Sequence, residues 1–230
     1  MYQSYALVFL RSVLRRIGLT RIIRRVLGKG RYEVDFGNRL LSYTRESDVV
    51  YDIGASSGPY TKRFLSKAVK GEVHVFEPIP EWCEALRNIA TTDHYFVHQF
   101  AVGAVAKGKA AMYVAGAGKN GRASIYPVFG KKSIEVDVRS LDDFVSETGS
   151  VPNVVKIDVE GYEHEVLKGM KTILGNRALH VVAVEVHFKI LDRYAMRNAP
   201  REIVRTLREN QFKVGWTDAS HFIAVRDRPV

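Results

Sequence analysis

Cysteine is almost absent: Cys83 stands alone in a chain of 230 residues. One thiol closes no internal disulfide and builds no cysteine-rich metal centre. A reducing, cytoplasmic setting is therefore the expectation. Long apolar runs are missing as well. The longest near the start, residues 5–10, falls far short of the roughly 20 residues a membrane-spanning helix needs. It is also short for a secretory signal, and no basic residue precedes it. Acidic residues are missing from one place in particular. Residues 1–31 carry Arg11, Arg15, Arg16, Arg21, Arg24, Arg25, Lys29 and Arg31, and neither Asp nor Glu. Eight of the ten surplus positive charges thus sit in a leader, and the rest of the chain is near +2. Such a distribution argues against a broad nucleic-acid-binding face.

What is present divides at that leader. Residues 1–31 read as a basic amphipathic helical segment, with helices at 3–17 and 19–27 broken around Gly18. In the second helix Leu19, Ile22, Ile23, Val26 and Leu27 share one face, and Arg21, Arg24 and Arg25 lie off it. Gly28-Lys29-Gly30 reads as a stop and hinge. A segment of this kind suits an anionic membrane surface, so residues 3–27 are expected to hold the protein at the periphery of one. Two alternatives stay open: the apolar stripes pack on the protein's own domain, or the segment is an organelle transit peptide.

From residue 32 to 230 a single domain is expected. Strands are predicted at 49–53, 72–76, 95–101, 153–158 and 180–187, and helices at 59–69, 80–90, 162–173 and 200–210. The alternation indicates an α/β fold with a doubly wound, mostly parallel sheet. Stretches 212–216 and 221–226 flank Thr217-Asp218-Ala219-Ser220 and predict an antiparallel C-terminal hairpin. Residues 104–139 break the rhythm. Two strand-like stretches, 109–115 and 133–139, enclose Gly116, Gly118, Gly121 and Gly130, which predicts an inserted hairpin with a long loop.

The first strand runs into Asp52-Ile53-Gly54-Ala55-Ser56-Ser57-Gly58 and then a helix. Glycines there let the backbone turn sharply and approach a ligand. A dinucleotide fingerprint starting at Gly54 would need glycine where Ser56 and Pro59 stand, so the pyrophosphate cradle of an NAD(P)-dependent reductase is incomplete. Glu77, at the end of the second strand, is placed to accept hydrogen bonds from the two ribose hydroxyls of a nucleoside ligand. Asp52, just before the loop, suits a cofactor bearing a sulfonium and an ammonium better than one bearing two phosphates. The plainer alternatives are a turn-capping Asp52 and a solvated Glu77.

Taken in order, Val50-Tyr51-Asp52-Ile53-Gly54-Ala55-Ser56-Ser57-Gly58-Pro59-Tyr60-Thr61, Val75-Phe76-Glu77-Pro78, Lys156-Ile157-Asp158-Val159-Glu160-Gly161-Tyr162-Glu163 and Glu185-Val186-His187 resemble the FkbM-type methyltransferases over residues 45–190. The resemblance implies a seven-stranded fold that binds S-adenosyl-L-methionine (SAM). It places Glu77 and Pro78 at the ribose, Gly54, Ala55, Ser57 and Gly58 around the methionine part with Asp52, and Ala101, in the 99–103 segment, beside the adenine. That segment lacks the acid many SAM enzymes carry there. The resemblance also implies O-methylation, often of sugar or polyketide hydroxyls, and leaves the acceptor unnamed.

Asp158, Glu160 and His187 are the candidate catalytic residues. Ligands of open α/β sheets sit outside the carboxyl ends of the strands, where these residues are predicted. Methyl transfer needs an acceptor oxygen in line with the methyl group and stripped of its proton, so a carboxylate or imidazole within reach matters. A divalent cation, Mg2+ or Mn2+, held by Asp158 and Glu185 is a second way to acidify the hydroxyl. Structural alternatives exist: the acids favour a helix N-terminus, Lys156 pairs with Glu185, and His187 is a satisfied core residue. Asp158-Val159-Glu160-Gly161 stands where base-amine methylators carry an Asn/Asp-Pro-Pro-aromatic stretch, which favours an oxygen acceptor over nucleic acid. The rival functions are the reductase and a non-catalytic membrane or assembly adaptor.

Overall fold

The computed structural model describes residues 29–115, 122–127 and 132–227, with side chains from residue 34 onward. The predicted leader helices at 3–17 and 19–27 and the four glycines of the insertion lie outside these residues. The elements are α1 (Lys29–Tyr43), β1 (Val49–Ile53), α2 (Pro59–Lys67), β2 (Glu72–Phe76), α3 (Pro80–Arg87), β3 (Tyr95–His98), β4 (Ala101–Val102), β5 (Lys107–Ala115), β6 (Arg122–Ser124) and β7 (Ser133–Arg139). They continue with α4 (Leu141–Thr148), β8 (Val154–Ile157), α5 (Glu163–Lys168), α6 (Lys171–Gly175), β9 (Val181–Glu185), α7 (Phe188–Arg193), α8 (Ala199–Glu209), β10 (Lys213–Trp216) and β11 (His221–Val225).

Seven strands form the main sheet in the order β10-β11-β9-β8-β1-β2-β3. β9, β8, β1, β2 and β3 are parallel, whereas β11 runs antiparallel to β9 and β10 antiparallel to β11. The fold is thus the mostly parallel α/β sheet with an antiparallel C-terminal hairpin. The apolar runs of β1, β8 and β9 are explained by cover on both faces. One face packs Tyr51, Phe76, Val155 and Ile157 against Phe144 and Leu174. The other packs Val50, Val73 and Val154 against Phe36, Leu40 and Phe64 of α1 and α2. Each such side chain, fully buried, contributes about 1.5–3 kcal/mol before entropy is counted. No helix among the described residues is long and apolar enough to cross a membrane.

The insertion is a second, four-stranded sheet in the order β4-β7-β5-β6. β5 and β7 pair antiparallel from Lys107 with Arg139 to Tyr113 with Ser133, close to the predicted hairpin. β6, at its edge, was not predicted. Three predicted elements are corrected. The strand expected at 95–101 ends at His98, because its partner β2 ends opposite at Phe76; Ala101 and Val102 pair instead with β7. The helix expected at 162–173 is broken between α5 and α6 at Gly169 and Met170. Lys29 and Gly30 begin α1 rather than ending the leader, so the boundary expected at 31/32 falls inside a helix.

Candidate active site

The strand order reverses between β1 and β8, and the loops leaving their carboxyl ends meet there. Gly54 turns out of β1 at φ 74°; a Cβ on it would lie 2.0 Å from the Asp158 carbonyl oxygen, so only glycine lets the β1 and β8 loops touch. Ser56 and Glu160 also hold positive φ, 51° and 50°. Neither residue type favours that region, and such strain collects at ligand sites. The Ser124 hydroxyl of β6 donates to the Glu160 carbonyl at 2.7 Å and pins the second sheet to the β8 loop.

Between the two sheets lies a chamber of about 350 Å³. Its walls include Gly54, Ser56, Ser57, Glu77, Pro78, Trp82, Phe100, Ala101, Met112, Ile125, Asp158, Glu160 and Tyr162. Glu77 is 3% exposed. It accepts the Ser56 amide at 2.9 Å and the Ile79 amide at 3.0 Å, one on each carboxylate oxygen. Burial pushes its pKa up to about 7, against the pull of those two amides. The chamber therefore has an apolar end at Trp82, Phe100, Ala101 and Met112, a carboxylate midway, and an acidic end at Asp158 and Glu160.

A smaller chamber of about 160 Å³ shares Gly54, Ser56 and Asp158 with the first and is closed by Phe36, Ala55, Tyr60, Lys156, Glu185 and His221. Asp52 lines neither chamber. It is fully buried, opposite Lys156 in the β1–β8 register, 3.1 Å from the Lys156 ammonium, and accepts the Thr61 hydroxyl at 2.8 Å. The strand period turns Asp52 beneath the loop, where it faces Lys156 instead of forming part of either chamber's wall. The expected Lys156–Glu185 pair is replaced by Lys156 with Asp52 and, at 3.6 Å, Asp158. Burial works against the Lys156 charge, but these carboxylates hold its pKa above the ordinary value. Gly58 also stays outside both chambers. Its φ of 81° starts α2, and a Cβ there would meet Ile89 at 2.3 Å.

At the acidic end the predicted catalytic residues come together. His187 lies beyond the end of β9, at the start of α7, and lines neither chamber. Its Nδ1 donates to Glu163 at 2.6 Å. Its Nε2 is 3.2 Å from Glu160, 3.8 Å from Asp158 and 4.0 Å from Glu185. Burial would lower the His187 pKa, but the Glu163 hydrogen bond and the surrounding carboxylates raise it to about 10. Burial raises Asp158 and Glu160, only partly offset by Lys156 and His187 respectively. Across the cluster His221 Nδ1 is 2.8 Å from Asp218, and its Nε2 is 3.2 Å from Glu185. Despite burial, these partners lift His221 to about 9.

Sequence reasoning missed Trp82, Met112, Arg122, Glu163 and His221. Glu163 carried a signal, three residues after Glu160 in the same motif. His221 and Met112 come from distant strands, and nothing local marks them.

Comparison with known proteins identifies the family. The Methyltransferase FkbM domain matches residues 52–214. A "Hexuronic acid methyltransferase AglP" of Haloferax volcanii is 33% identical over 160 residues, 68% of this chain and 63% of that protein. The match thus spans less than two thirds of that relative's length. The crystal structure of an FkbM methyltransferase from Methylobacillus flagellatus aligns with TM-score 0.54 and 17% identity, over 79% of this chain and 44% of that one. At that identity the likeness shows the fold alone.

Proposed function

Because the chain belongs to the FkbM methyltransferase family, we propose that it is a SAM-dependent O-methyltransferase acting on a hydroxyl of a sugar, glycolipid or other small molecule. The carrying observation is one chamber whose walls hold a buried carboxylate, Glu77, at the end of β2 and two carboxylates, Asp158 and Glu160, beyond the end of β8.

The residues present fit SAM. Each Glu77 oxygen holds one backbone amide, which leaves a second lone pair on each for a ribose hydroxyl. Trp82, Phe100, Ala101, Met112 and Ile125 offer apolar surface for the adenine. Asp158 and Glu160 give the sulfonium end negative surroundings. When bound, SAM supplies an electrophilic methyl group whose carbon–sulfur electron pair stays with sulfur. Glu160 takes the proton of the acceptor hydroxyl. Burial makes it a stronger base than an ordinary carboxylate, and His187 holds its orientation from 3.2 Å. His187, already carrying a proton at neutral pH, is a positioning residue rather than the base. Arg122 lines the chamber 3.8 Å from Glu160 and suits an acceptor sugar that is itself acidic. The name of the Haloferax relative points the same way.

Membership in a methyltransferase family leaves the reductase reading without support. Calorimetry with S-adenosylhomocysteine and with NADH tests the cofactor, and labelled methyl transfer to uronate and neutral glycans tests the acceptor. Glu160→Gln is expected to lower turnover about 10²–10⁴-fold with cofactor affinity retained. Failure to bind S-adenosylhomocysteine would favour the non-catalytic adaptor. For a lipid-linked acceptor, the basic stripe at 3–27 would bring the site to an anionic surface. Flotation of the full chain on anionic but not neutral liposomes is the expected result.

A further inference from the structure

The cluster behind the acidic end holds more negative charge than the described residues balance. Apart from His221, whose charge Asp218 already matches and which reaches Glu185 at 3.2 Å, the carboxylates of Asp52, Asp158, Glu160, Glu163 and Glu185 face Lys156, His187 and Arg122, an excess of two carboxylates over cations within 4.0 Å among the described residues. Lys156 is already satisfied by Asp52 at 3.1 Å and the Gly54 carbonyl at 3.3 Å, so Asp158 is not needed to neutralise it. Arg122 is largely exposed and reaches only Glu160.

Geometry sharpens this. Asp158, Glu185 and His187 present ligand atoms that all lie within 4.8 Å of one another. Glu163, fully buried, fixes the His187 ring through Nδ1 and turns Nε2 toward the three carboxylates. A carboxylate holding the far nitrogen of an imidazole is the usual support behind a metal-ligating histidine.

We propose that Asp158, Glu185 and His187 Nε2 bind one divalent cation, with Glu163 as the positioning residue behind His187. Two carboxylates and one imidazole suit Mn2+ well; Mg2+, which prefers oxygen ligands alone, binds more weakly. The ion displaces the Nε2 proton, and with it the contact to Glu160; its two charges replace one, so the excess falls from two carboxylates to one. Asp158 borders both chambers, so the ion lies beside the space where an acceptor hydroxyl must stand. There it polarises the O–H bond, and the proton passes to Glu160. That use rests on the methyl-transfer reading above; the binding itself does not.

The test is titration of Mn2+ into the chelator-stripped full chain, with free Mn2+ read by electron paramagnetic resonance. One site per chain is expected, with Mg2+ competing only in large excess. Glu185→Gln and His187→Ala should each abolish it. Glu163→Gln should weaken it about 10–100-fold, and Asp142→Asn, in α4 away from the cluster, should leave it unchanged. Circular dichroism and S-adenosylhomocysteine calorimetry on each variant show that the fold and cofactor site persist. Absence of a Mn2+ site in the stripped chain, or a site indifferent to Glu185→Gln and His187→Ala in folded protein, overturns the proposal. Because S-adenosylhomocysteine is measured separately, a failed metal site and a failed cofactor reading give different results.

Discussion

Two pairs of histidines, each with one buried and one half-buried ring, are driven in opposite directions. His74 and His98, on β2 and β3, lie among Tyr51, Phe76, Phe96 and Phe144, with their two rings stacked at 5.2 Å and 7°. Their Nδ1 and Nε2 atoms are 3.0 Å apart, so one must donate and the other accept, and both cannot be cations. Burial pushes His98 down to about 4 and lowers His74 as well, although Glu72 at 2.9 Å pulls His74 the other way. His221 is buried and His187 largely so, yet they rise to about 9 and about 10, because Asp218 and Glu163 stand at their Nδ1 atoms. Burial alone thus does not decide ionisation: the carboxylates around His187 and His221 outweigh it, whereas at His74 burial outweighs Glu72. The aromatic pocket is a neutral packing device, whereas the carboxyl end of β8 and β9 is an organised field of charge.

The largest effect is expected where a charge in that field loses its partner. Lys156→Met leaves Asp52 buried and unmatched, and breaking a buried pair costs about 3–5 kcal/mol. Urea denaturation should show that loss, and the double variant Lys156→Met/Asp52→Leu should recover much of it. A loss below about 1 kcal/mol would mean that water reaches the pair. The neutral pocket should respond to acid instead. His98 has a folded-state pKa below its unfolded value, so the unfolded chain binds more protons between pH 6.5 and 4. Its stability contribution is whole above pH 6.5 and is lost as pH falls through that window, on the order of 3 kcal/mol in full. His98→Phe should flatten the acid limb of a Tm–pH profile while changing Tm little at pH 8. An acid limb unchanged in His98→Phe would place the sensitivity elsewhere.

The contrast also explains what could be read in advance. β1, β2 and β8 were legible to within a residue because buried parallel strands need uninterrupted apolar runs, and Gly58-Pro59 announces α2. The acids at the strand ends were legible because they interrupt those runs. α4 had a signal too: Ser140 accepts the Asp143 amide and Gly149 ends the helix at φ 73°, but the sequence reading places no helix there. The surroundings of Asp52 were not legible, for a physical reason. Its position in the chain is correct for a ligand, but strand alternation turns it under the loop, and only the register opposite Lys156 reveals that. Long-range partners such as Glu163 for His187 and Asp218 for His221 depend on how loops fold back. Neither periodicity nor composition encodes that.

Glu77 offers the smallest effect and the closest control on the comparison, since it is a buried acid with no cation at hydrogen-bond distance among the described residues. Burial lifts its pKa to about 7, and the Ser56 and Ile79 amides only partly restrain the rise. The folded protein therefore binds more protons at this site than the unfolded chain between pH 4.5 and 7, so its stability contribution falls as pH rises through that window. Cofactor binding should run the opposite way, because only the ionised carboxylate accepts from both ribose hydroxyls. S-adenosylhomocysteine affinity is expected to level off above pH 7 and to fall about 10-fold per unit below it. Glu77→Gln should remove that slope and weaken binding at pH 8 by about 1–3 kcal/mol, the scale of hydrogen bonds to a charged group. A pH-independent affinity in the unaltered protein, measured by calorimetry from pH 5.5 to 8.5, would show that Glu77 stays ionised throughout or that the ribose rests elsewhere. Retention of full affinity by Glu77→Gln at pH 8 would select the second of these.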